Sequence, residues 1–390
     1  AAVTAGWHAG DAEANHQNRA QLERLFEQLE TRWGKLQPDS QLVADLRDIA
    51  THSPYLADEL IREPEFLEEL KQIREVRPAA FSWEGDKTIR KTYRRRLFRI
   101  ECESIVLGKP VFETLAANSD LADSVIAHCY ELAILSVGES ELDLSTPMMV
   151  VALGRLGLRE FDIASDADIV FIVPDEKAEL LEMWTKVAAR MIELLTAYTG
   201  DGVIFTVDAR LRPYGREGDL VQLESTFMEY FAHHAEAWEG IAYMKARAVA
   251  GDIERATTFL NELQKVDWRR YGQSHRSKKQ LSQMRARLEK EQGRNNPLKA
   301  GRGGFYDIDF LLLYLRLRSA GIFFKVLNTP ERIDVVEQMG HLEQEDAAFL
   351  LEAATLYRGI DHGMRLYTGQ NTNSLAEAPA AREALETMLR

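Results

Sequence analysis

Two apolar runs joined by a glycine-containing turn and a polar loop constrain the fold of this chain more than any other feature. Residues 148–175 have the sequence MMVVALGRLGLREFDIASDADIVFIVPD. The runs at 148–153 and 169–173 are short, apolar and bounded by turn residues, which is typical of buried strands. The turn between them carries Gly154 and Gly157. This segment therefore predicts two strands of a sheet, separated by a glycine turn and an acidic loop.

The acidic loop ends in Ser165, Asp166, Ala167 and Asp168, where the second strand is predicted to begin. Side chains alternate between the two faces of a strand, so Asp166 and Asp168 point to the same side. Two carboxylates a few ångströms apart repel each other unless a cation lies between them. Such oxygen ligands suit Mg²⁺, which usually binds one or two carboxylates together with substrate phosphates. An Asp-x-Asp pair alone is more often part of a solvated turn. The prediction of a metal site therefore needs support from further residues.

A third aspartate follows the next predicted strand. Residues 203–207 are β-branched and aromatic, which predicts a strand that ends at Asp208. Three aspartates from neighbouring strands could hold two metal ions for in-line attack at a phosphorus atom. Arg210 and Arg212 alternate on the extended segment after Asp208, and both would offer bidentate contacts to phosphate. The glycine turn, the acidic loop and this later aspartate with two arginines are together typical of a nucleotidyltransferase site.

Four motifs in this order resemble the signature of the glutamine synthetase adenylyltransferase family. They are Gly154-Arg-Leu-Gly157, Ser165-Asp-Ala-Asp168, Val207-Asp-Ala-Arg-Leu-Arg-Pro213 and Lys245-Ala-Arg247. Members of that family have two similar halves: one attaches AMP to a tyrosine of glutamine synthetase, and the other removes it by phosphorolysis. The resemblance covers most of the chain. It implies an α+β fold, mostly helical overall, in which a polymerase-β-like nucleotidyltransferase mixed sheet with flanking helices is preceded and followed by helical regions.

The resemblance also assigns roles to single residues. It implies that Asp166, Asp168 and Asp208 are catalytic and bind Mg²⁺, with Asp208 either completing the metal site or accepting a proton from the attacking hydroxyl. It implies nucleotide contacts from Gly154, Gly157, Ser165, Arg210, Arg212, Lys245 and Arg247. The residues alone leave open whether Lys245 and Arg247 face the site or point outward as surface charges.

The direction of the reaction follows less clearly from the motifs. Tyr306-Asp-Ile-Asp309 resembles the adenylylating halves, whereas Tyr243-Met-Lys-Ala-Arg247 resembles the deadenylylating ones. We expect transfer of AMP from ATP to a tyrosine of glutamine synthetase, in the regulation of nitrogen metabolism. Two alternatives stay open: phosphorolysis of AMP-tyrosine to ADP with inorganic phosphate, and a non-catalytic module that senses nucleotide or binds a partner. The resemblance also leaves open a PII-type nitrogen signal protein as a second partner.

Composition excludes several other classes of protein. The net charge of −14 disfavours nucleic-acid binding, which requires a basic surface. No apolar run is long enough for a membrane span and no signal-peptide pattern opens the chain, so we expect a cytoplasmic protein without a membrane partner. Cys102 and Cys129 are expected to be buried free thiols. The polar opening, which begins with alanine, suggests a fragment of a longer protein.

The length and the pattern of elements predict three regions. The 390 residues are enough for two or three domains. Helical periodicity dominates residues 1–106 and 251–390, which we interpret as an N-terminal helical region and a C-terminal helical bundle. Residues 107–250 contain the predicted strands and form the nucleotidyltransferase domain.

Overall fold

The computed structural model describes residues 12–36, 40–74, 83, 88–138, 147–272, 274–319, 328–371 and 379–388. Within these residues helices predominate, and five strands form one mixed sheet. This arrangement confirms the predicted α+β class with a small sheet between helical regions.

The chain begins with a group of helices that share a hydrophobic core. These are α1 (Ala12–Trp33), α2 (Gln41–His52), α3 (Pro54–Arg62) and α4 (Leu67–Lys71), with a 3₁₀ turn at Pro64–Phe66. Serine side chains cap two of them: Ser40 accepts from the Val43 amide, and Ser53 accepts from the Leu56 amide. Helices α5 (Ile89–Val106) and α6 (Val111–Val137) then lead into the sheet.

The sheet is built around two central antiparallel strands. Its elements are β1 (Met149–Ala152), the short helix α7 (Gly154–Gly157), β2 (Ala167–Val173), β3 (Val207–Asp208), β4 (Val221–Leu223) and β5 (Arg247–Gly251). Strand β1 pairs antiparallel with both β2 and β5. Strand β2 pairs parallel with β3 near its start and with β4 near its end. The loop between β1 and β2 therefore opens at the same end of β2 as β3.

The strand predicted at 203–207 is shorter in the structure. Only Val207, at its end, is in a strand, and β3 continues to Asp208. Ile204 and Phe205 are buried in the core, where the Phe205 ring packs edge-on against those of Tyr93 and Phe161. The apolar residues of this run therefore pack into the core from an irregular segment. A short apolar run of this kind has the same sequence pattern as a buried strand, so the pattern alone could not separate the two.

Helices cover both faces of the sheet. Val150 and Ala152 face the core formed with α6 and α8 (Leu181–Thr196), whereas Met149 and Val151 face the core formed with α9 (Glu224–His233) and α11 (Ile253–Asp267). This alternation is the two-residue period of a strand buried on both sides. A 3₁₀ segment, Asp175–Leu180, precedes α8, and α10 (Ala237–Tyr243) follows α9.

The C-terminal region is helical and returns to the N-terminal helices. After a π-helical turn at Trp268–Gly272 come α12 (His275–Gln292), α13 (Pro297–Ala300), α14 (Phe305–Arg318), α15 (Thr329–Gln338), α16 (Gln344–Thr368) and α17 (Pro379–Met388). Leu366 on α16 is buried in the N-terminal core, and its carbonyl accepts a hydrogen bond from Ser53. Helix α16 thus connects the first and last of the three predicted regions.

Two further expectations concern cysteines and membranes. Cys102 and Cys129 are buried, and neither forms a disulfide within the residues that the structure describes, as predicted. Among the helices that the structure describes, none combines the length and the apolar character that crossing a membrane requires.

Candidate active site

Three carboxylates meet where β2 and β3 run side by side. Asp168 in β2 is paired in register with Asp208 in β3, and Asp166 directly precedes β2. Asp166 is exposed, while Asp168 and Asp208 are partly buried. Burial raises the pKa of Asp168 to about 6, and the negative charges of Asp208 and Asp166 contribute to this rise. The sequence prediction that these three groups lie together therefore agrees with their positions, and their binding of a metal stays a prediction.

The glycine turn packs directly against Asp168. Gly154 has φ +56°, and a Cβ on it would lie 3.1 Å from Cγ of Asp168 and overlap Oδ2. Gly157 is close to backbone instead, since a Cβ there would overlap the carbonyl oxygen of Lys245 and lie 3.0 Å from that of Ala152. Both positions require glycine because of close approach, and Gly154 also requires it for its backbone conformation. Their contact with nucleotide remains a prediction.

Asp208 is held by the arginine two residues later. The Arg210 amide donates to Oδ1 of Asp208 at 2.9 Å, and its guanidinium Nε lies 2.8 Å from both carboxylate oxygens. These hydrogen bonds lower the pKa of Asp208. Asp208 is therefore ionised at neutral pH, which suits a ligand for a cation more than a proton acceptor.

Arg212 lies differently from Arg210. Its Nε donates to the Gly218 carbonyl at 3.0 Å and its Nη1 to the Ala209 carbonyl at 2.6 Å. The side chain thus closes the loop that follows Asp208, and the structure does not bring these two donors to the carboxylates. Its predicted phosphate contact is not tested by this arrangement.

Lys245 and Arg247 have separate surroundings. Lys245 forms an ion pair with Asp309 on α14, and its positive charge opposes part of the rise in the pKa of Asp168, so it lies close to the carboxylates. Arg247 instead forms a two-pronged ion pair with Asp123 on α6, at 2.5 and 2.8 Å, and donates to the Leu156 carbonyl at 3.0 Å. Arg247 therefore ties β5 to α6 and α7, while Lys245 is the one of the two that borders the site.

Ser165 is buried and its hydroxyl accepts a hydrogen bond from Arg365 on α16 at 3.3 Å. Arg365 also donates to the Ile163 carbonyl at 2.5 Å. The acidic loop is consequently anchored to the C-terminal bundle just before Asp166. The proposed contact of the Ser165 hydroxyl with a triphosphate stays a prediction.

Sequence reasoning did not find the buried charges that support the acidic loop. Asp162 is fully enclosed and accepts from His362 Nδ1 at 2.9 Å and from Arg155 at 3.1 Å. Glu160 accepts from the Thr329 amide at 2.6 Å and from Arg358 at 2.8 Å. Glu160 and Asp162 stand in an otherwise apolar stretch, which indicates that buried charges are present. Their partners could not be identified because they lie far away in the sequence.

Asp307 and Asp309 do not face the same way, as their spacing on a helix predicts. Asp309 lies between Lys245 and Arg332, and these two cations, outweighing burial, hold its pKa well below the usual range. Asp307 accepts from the Gly303 amide at 2.7 Å and from Arg285 at 2.6 Å. Only Asp309 is thus connected to the candidate site, whereas Asp307 fixes the glycine loop before α14.

The donor set of this site fits a divalent cation. The carboxylates of Asp166, Asp168 and Asp208 are close enough to raise the pKa of one of them, and a cation between them would remove that repulsion. A mixed sheet with one carboxylate on a strand, a second directly before that strand and a third on its parallel neighbour is the arrangement of a nucleotidyltransferase.

Comparison with known proteins gives the family. Residues 43–262 match the model described as glutamate-ammonia ligase adenylyltransferase, and the chain belongs to this family. Residues 274–389 match a second model, described as GlnD PII-uridylyltransferase.

Curated relatives carry the name bifunctional glutamine synthetase adenylyltransferase/adenylyl-removing enzyme. The protein from Hahella chejuensis is 28% identical over 367 residues, which is 85% of this chain and 38% of that protein. The one from Corynebacterium glutamicum is 30% identical over 310 residues, or 75% of this chain and 28% of the relative. The one from Mycobacterium avium is 32% identical over 304 residues, which is 74% of this chain and 29% of that relative. The chain thus spans little more than a third of these relatives at most.

Proposed function

We propose that this chain is a catalytic half that transfers AMP from ATP to a tyrosine of glutamine synthetase, with Mg²⁺ as the metal. The observation that carries the proposal is the register of Asp168 against Asp208, with Asp166 beside them. The names of the relatives support glutamine synthetase as the protein substrate.

Asp166, Asp168 and Asp208 would hold the metal. When bound, Mg²⁺ supplies charge neutralisation at the phosphates and lowers the pKa of the attacking hydroxyl. Arg210 keeps the Asp208 carboxylate ionised and fixed in orientation through its backbone amide and its guanidinium. Lys245 adds a positive charge that acts on Asp168 and is itself held by Asp309.

The reaction is a displacement at the α-phosphorus. The bond from the tyrosine oxygen to phosphorus forms, the bond to the bridging oxygen of the β-phosphate breaks, and pyrophosphate leaves. A tyrosine hydroxyl has a pKa of about 10, so its proton has to pass to a base at neutral pH.

A PII-type signal protein is part of the same proposal as a regulatory partner. The similarity of residues 274–389 to a PII-uridylyltransferase model supports it. The corresponding role is control of nitrogen assimilation.

The test is a transfer assay with labelled products. The chain is incubated with Mg²⁺, ATP labelled at the α-phosphate and unmodified glutamine synthetase, and the expected result is labelled protein with an equal amount of pyrophosphate. Asp168→Asn should abolish both products. Asp346→Asn, which changes an exposed aspartate on α16, is the matched control and should leave them unchanged.

The same assay examines the reverse reaction. Release of ADP from adenylylated glutamine synthetase on addition of inorganic phosphate, without labelling from ATP, would assign the chain to the removing half. Retained ATP binding with neither product would identify a nucleotide-sensing module.

A further inference from the structure

The loop that follows Asp208 presents an exposed aromatic ring. Tyr214 lies six residues after Asp208 and is 52% exposed. It directly precedes a 3₁₀ turn, Gly215–Glu217, and its own φ is +64°. A backbone in this region costs free energy for a residue with a bulky side chain. Strain of this kind is concentrated at functional sites, which directs attention to what the ring contacts.

Hydrogen bonds hold this loop in one conformation. Arg212 donates to two carbonyls of the loop, as described above. Gln222, which is buried in β4, donates to the Pro213 carbonyl at 3.0 Å. The Glu217 amide donates to the Tyr214 carbonyl at 3.2 Å. The position of the ring is therefore set by the loop before any partner binds, which lowers the entropic cost of binding.

The ring of Tyr214 is also supported by α9. It packs edge-on against the Tyr230 ring, with 4.9 Å between the centroids and 70° between the planes. The ring of His234, which directly follows α9, lies 6.2 Å away. The Tyr230 hydroxyl donates to Glu239 on α10 at 2.7 Å. The Tyr214 ring thus rests on a fixed aromatic neighbour, and its exposed half is available for contact.

The residues after Tyr214 lie beside one of the three carboxylates. A Cβ on Gly215 would lie 3.8 Å from the carbonyl oxygen of Arg210, the residue that holds Asp208. The hydrogen bonds of Arg210 lower the pKa of Asp208, and the positive charge of Arg216 adds to this effect. Arg216 is therefore within electrostatic reach of Asp208. These contacts place Tyr214 at the rim of the candidate active site.

The order of the strands indicates what enters at this rim. Strands β1 and β3 pair with opposite edges of β2, so Asp168 lies between the glycine turn after β1 and Asp208 in β3. In-line displacement puts the attacking and leaving oxygens on opposite sides of the phosphorus atom. With the leaving phosphates at the glycine turn, as the sequence predicts, the attacking hydroxyl would approach from the side of Asp208.

We propose that Tyr214 binds the protein substrate, through the segment that carries the acceptor tyrosine. A tyrosine ring combines a large apolar face with a polar tip, and tyrosine is enriched at protein interfaces and among the residues that contribute most to binding. The inference rests on the proposed function for the identity of the partner, glutamine synthetase. It adds a residue of this chain that recognises that partner.

The test compares Tyr214→Gly with the wild type in the labelling assay, at varied concentrations of glutamine synthetase. Glycine removes the ring and adopts a positive φ without strain. We expect the KM for glutamine synthetase to rise about ten- to thirtyfold while kcat is largely retained, because the contact is made equally in the bound and the reacting state. The affinity for ATP, measured by calorimetry, should stay the same. Weaker ATP binding with an unchanged KM for glutamine synthetase would assign the ring to the nucleotide and overturn the proposal.

Two further variants make the result specific. Tyr214→Phe keeps the ring and should retain most of the affinity for glutamine synthetase. Tyr198→Ala removes a tyrosine that is 85% exposed in the segment after α8, and it should leave the KM unchanged. Equal rises of the KM in Tyr214→Gly and Tyr198→Ala would contradict a specific contact. A lowered melting temperature of Tyr214→Gly with a normal KM would show that the ring has a structural role only.

Binding without chemistry separates this inference from the proposed function. Surface plasmon resonance measures the affinity of the chain for unmodified, immobilised glutamine synthetase in the absence of ATP. Binding that is weakened in Tyr214→Gly but not in Tyr198→Ala, with no AMP transfer by the wild type, would support the contact and reject the transferase activity. AMP transfer by the wild type, with unchanged affinity and KM in Tyr214→Gly, would reject the contact and leave the transferase activity in place.

Discussion

The carboxylate of Asp168 lies against the α-carbon of Gly154, where any larger residue would overlap its Oδ2. The glycine of the turn after β1 and the aspartate of β2 are therefore one structural unit. The backbone of Gly154 also lies in the left-handed region, at φ +56°. A substitution at this position combines backbone strain with displacement of a candidate metal ligand.

Gly154→Ala should reduce AMP transfer by about a hundredfold, the typical consequence of moving a reacting group by about 1 Å. It should also lower the free energy of unfolding by about 1–2 kcal/mol because of the positive φ. Initial rates of labelling and urea denaturation measure the two effects separately.

The matched control is Gly340→Ala. Gly340 has φ +71° but no atom within 4 Å of an added Cβ, so this change introduces strain without overlap. A similar loss of stability with full activity is expected. Equal loss of activity in both variants would show that the contact with Asp168 has no functional weight.

The local part of the site could be predicted from the sequence. Asp168 lies in β2 and Asp166 directly precedes it, as the change from polar to apolar residues at this point of the sequence predicts. Asp208 followed from a change from apolar to polar residues, even though only the end of the predicted strand is extended in the structure. Features that depend only on residues close together in the sequence can thus be predicted from the sequence pattern.

Long-range partners could not be predicted in this way. The ion pair of Arg247 with Asp123 joins residues 124 positions apart, and the contact of Asp162 with His362 spans 200. The periodicity of one segment does not show which charged residue of a distant segment will pair with it. The sequence therefore left Arg247 between two interpretations, whereas the structure gives it a partner on α6.

Arg210 and Arg212 should behave differently when truncated. Arg212→Ala removes two hydrogen bonds to loop carbonyls, and we expect a loss of about 1–2 kcal/mol in the free energy of unfolding. Arg210 is exposed, so Arg210→Ala should leave stability nearly unchanged while it weakens ATP binding and AMP transfer. Urea denaturation and ATP titration of both variants provide the check, and full stability with weakened ATP binding in Arg212→Ala would assign that arginine to the nucleotide instead.

Arg247→Ala should destabilise the fold by about 3 kcal/mol, because it leaves Asp123 with no partner in a largely buried position. Burial already raises the pKa of Asp123 despite the opposing effect of Arg247. Arg287→Ala is the comparison, since it breaks a solvent-exposed pair with Glu291, and such pairs contribute little to stability. Equal effects of the two changes in urea denaturation would contradict a structural role for the Arg247 pair.

A buried imidazole connects the three regions of the chain. His362 on α16 contacts Asp162 of the acidic loop at 2.9 Å and Glu101 on α5 at 3.5 Å, with Ser104 at 3.2 Å from the same nitrogen as Glu101. Burial alone would lower the pKa of His362, but the carboxylates of Asp162 and Glu101 raise it to about 9 against the repulsion of Arg155. Burial raises the pKa of Glu101 to about 7, despite the positive charge of His362.

These pKa values predict how stability depends on pH. The folded-state pKa of His362 lies above its unfolded value of 6.5, so the stabilisation from its proton is complete below pH 6.5 and is lost as the pH rises through about 9. Glu101 also favours the protonated form in the folded state, so it weakens the fold as the pH rises from about 4.5 to 7. We expect the wild type to exceed His362→Gln in free energy of unfolding by up to about 3 kcal/mol at pH 6, and this difference should shrink towards pH 9.5. Urea denaturation of both proteins across this range measures the difference directly, and a constant gap between them would show that His362 is not protonated in the folded chain.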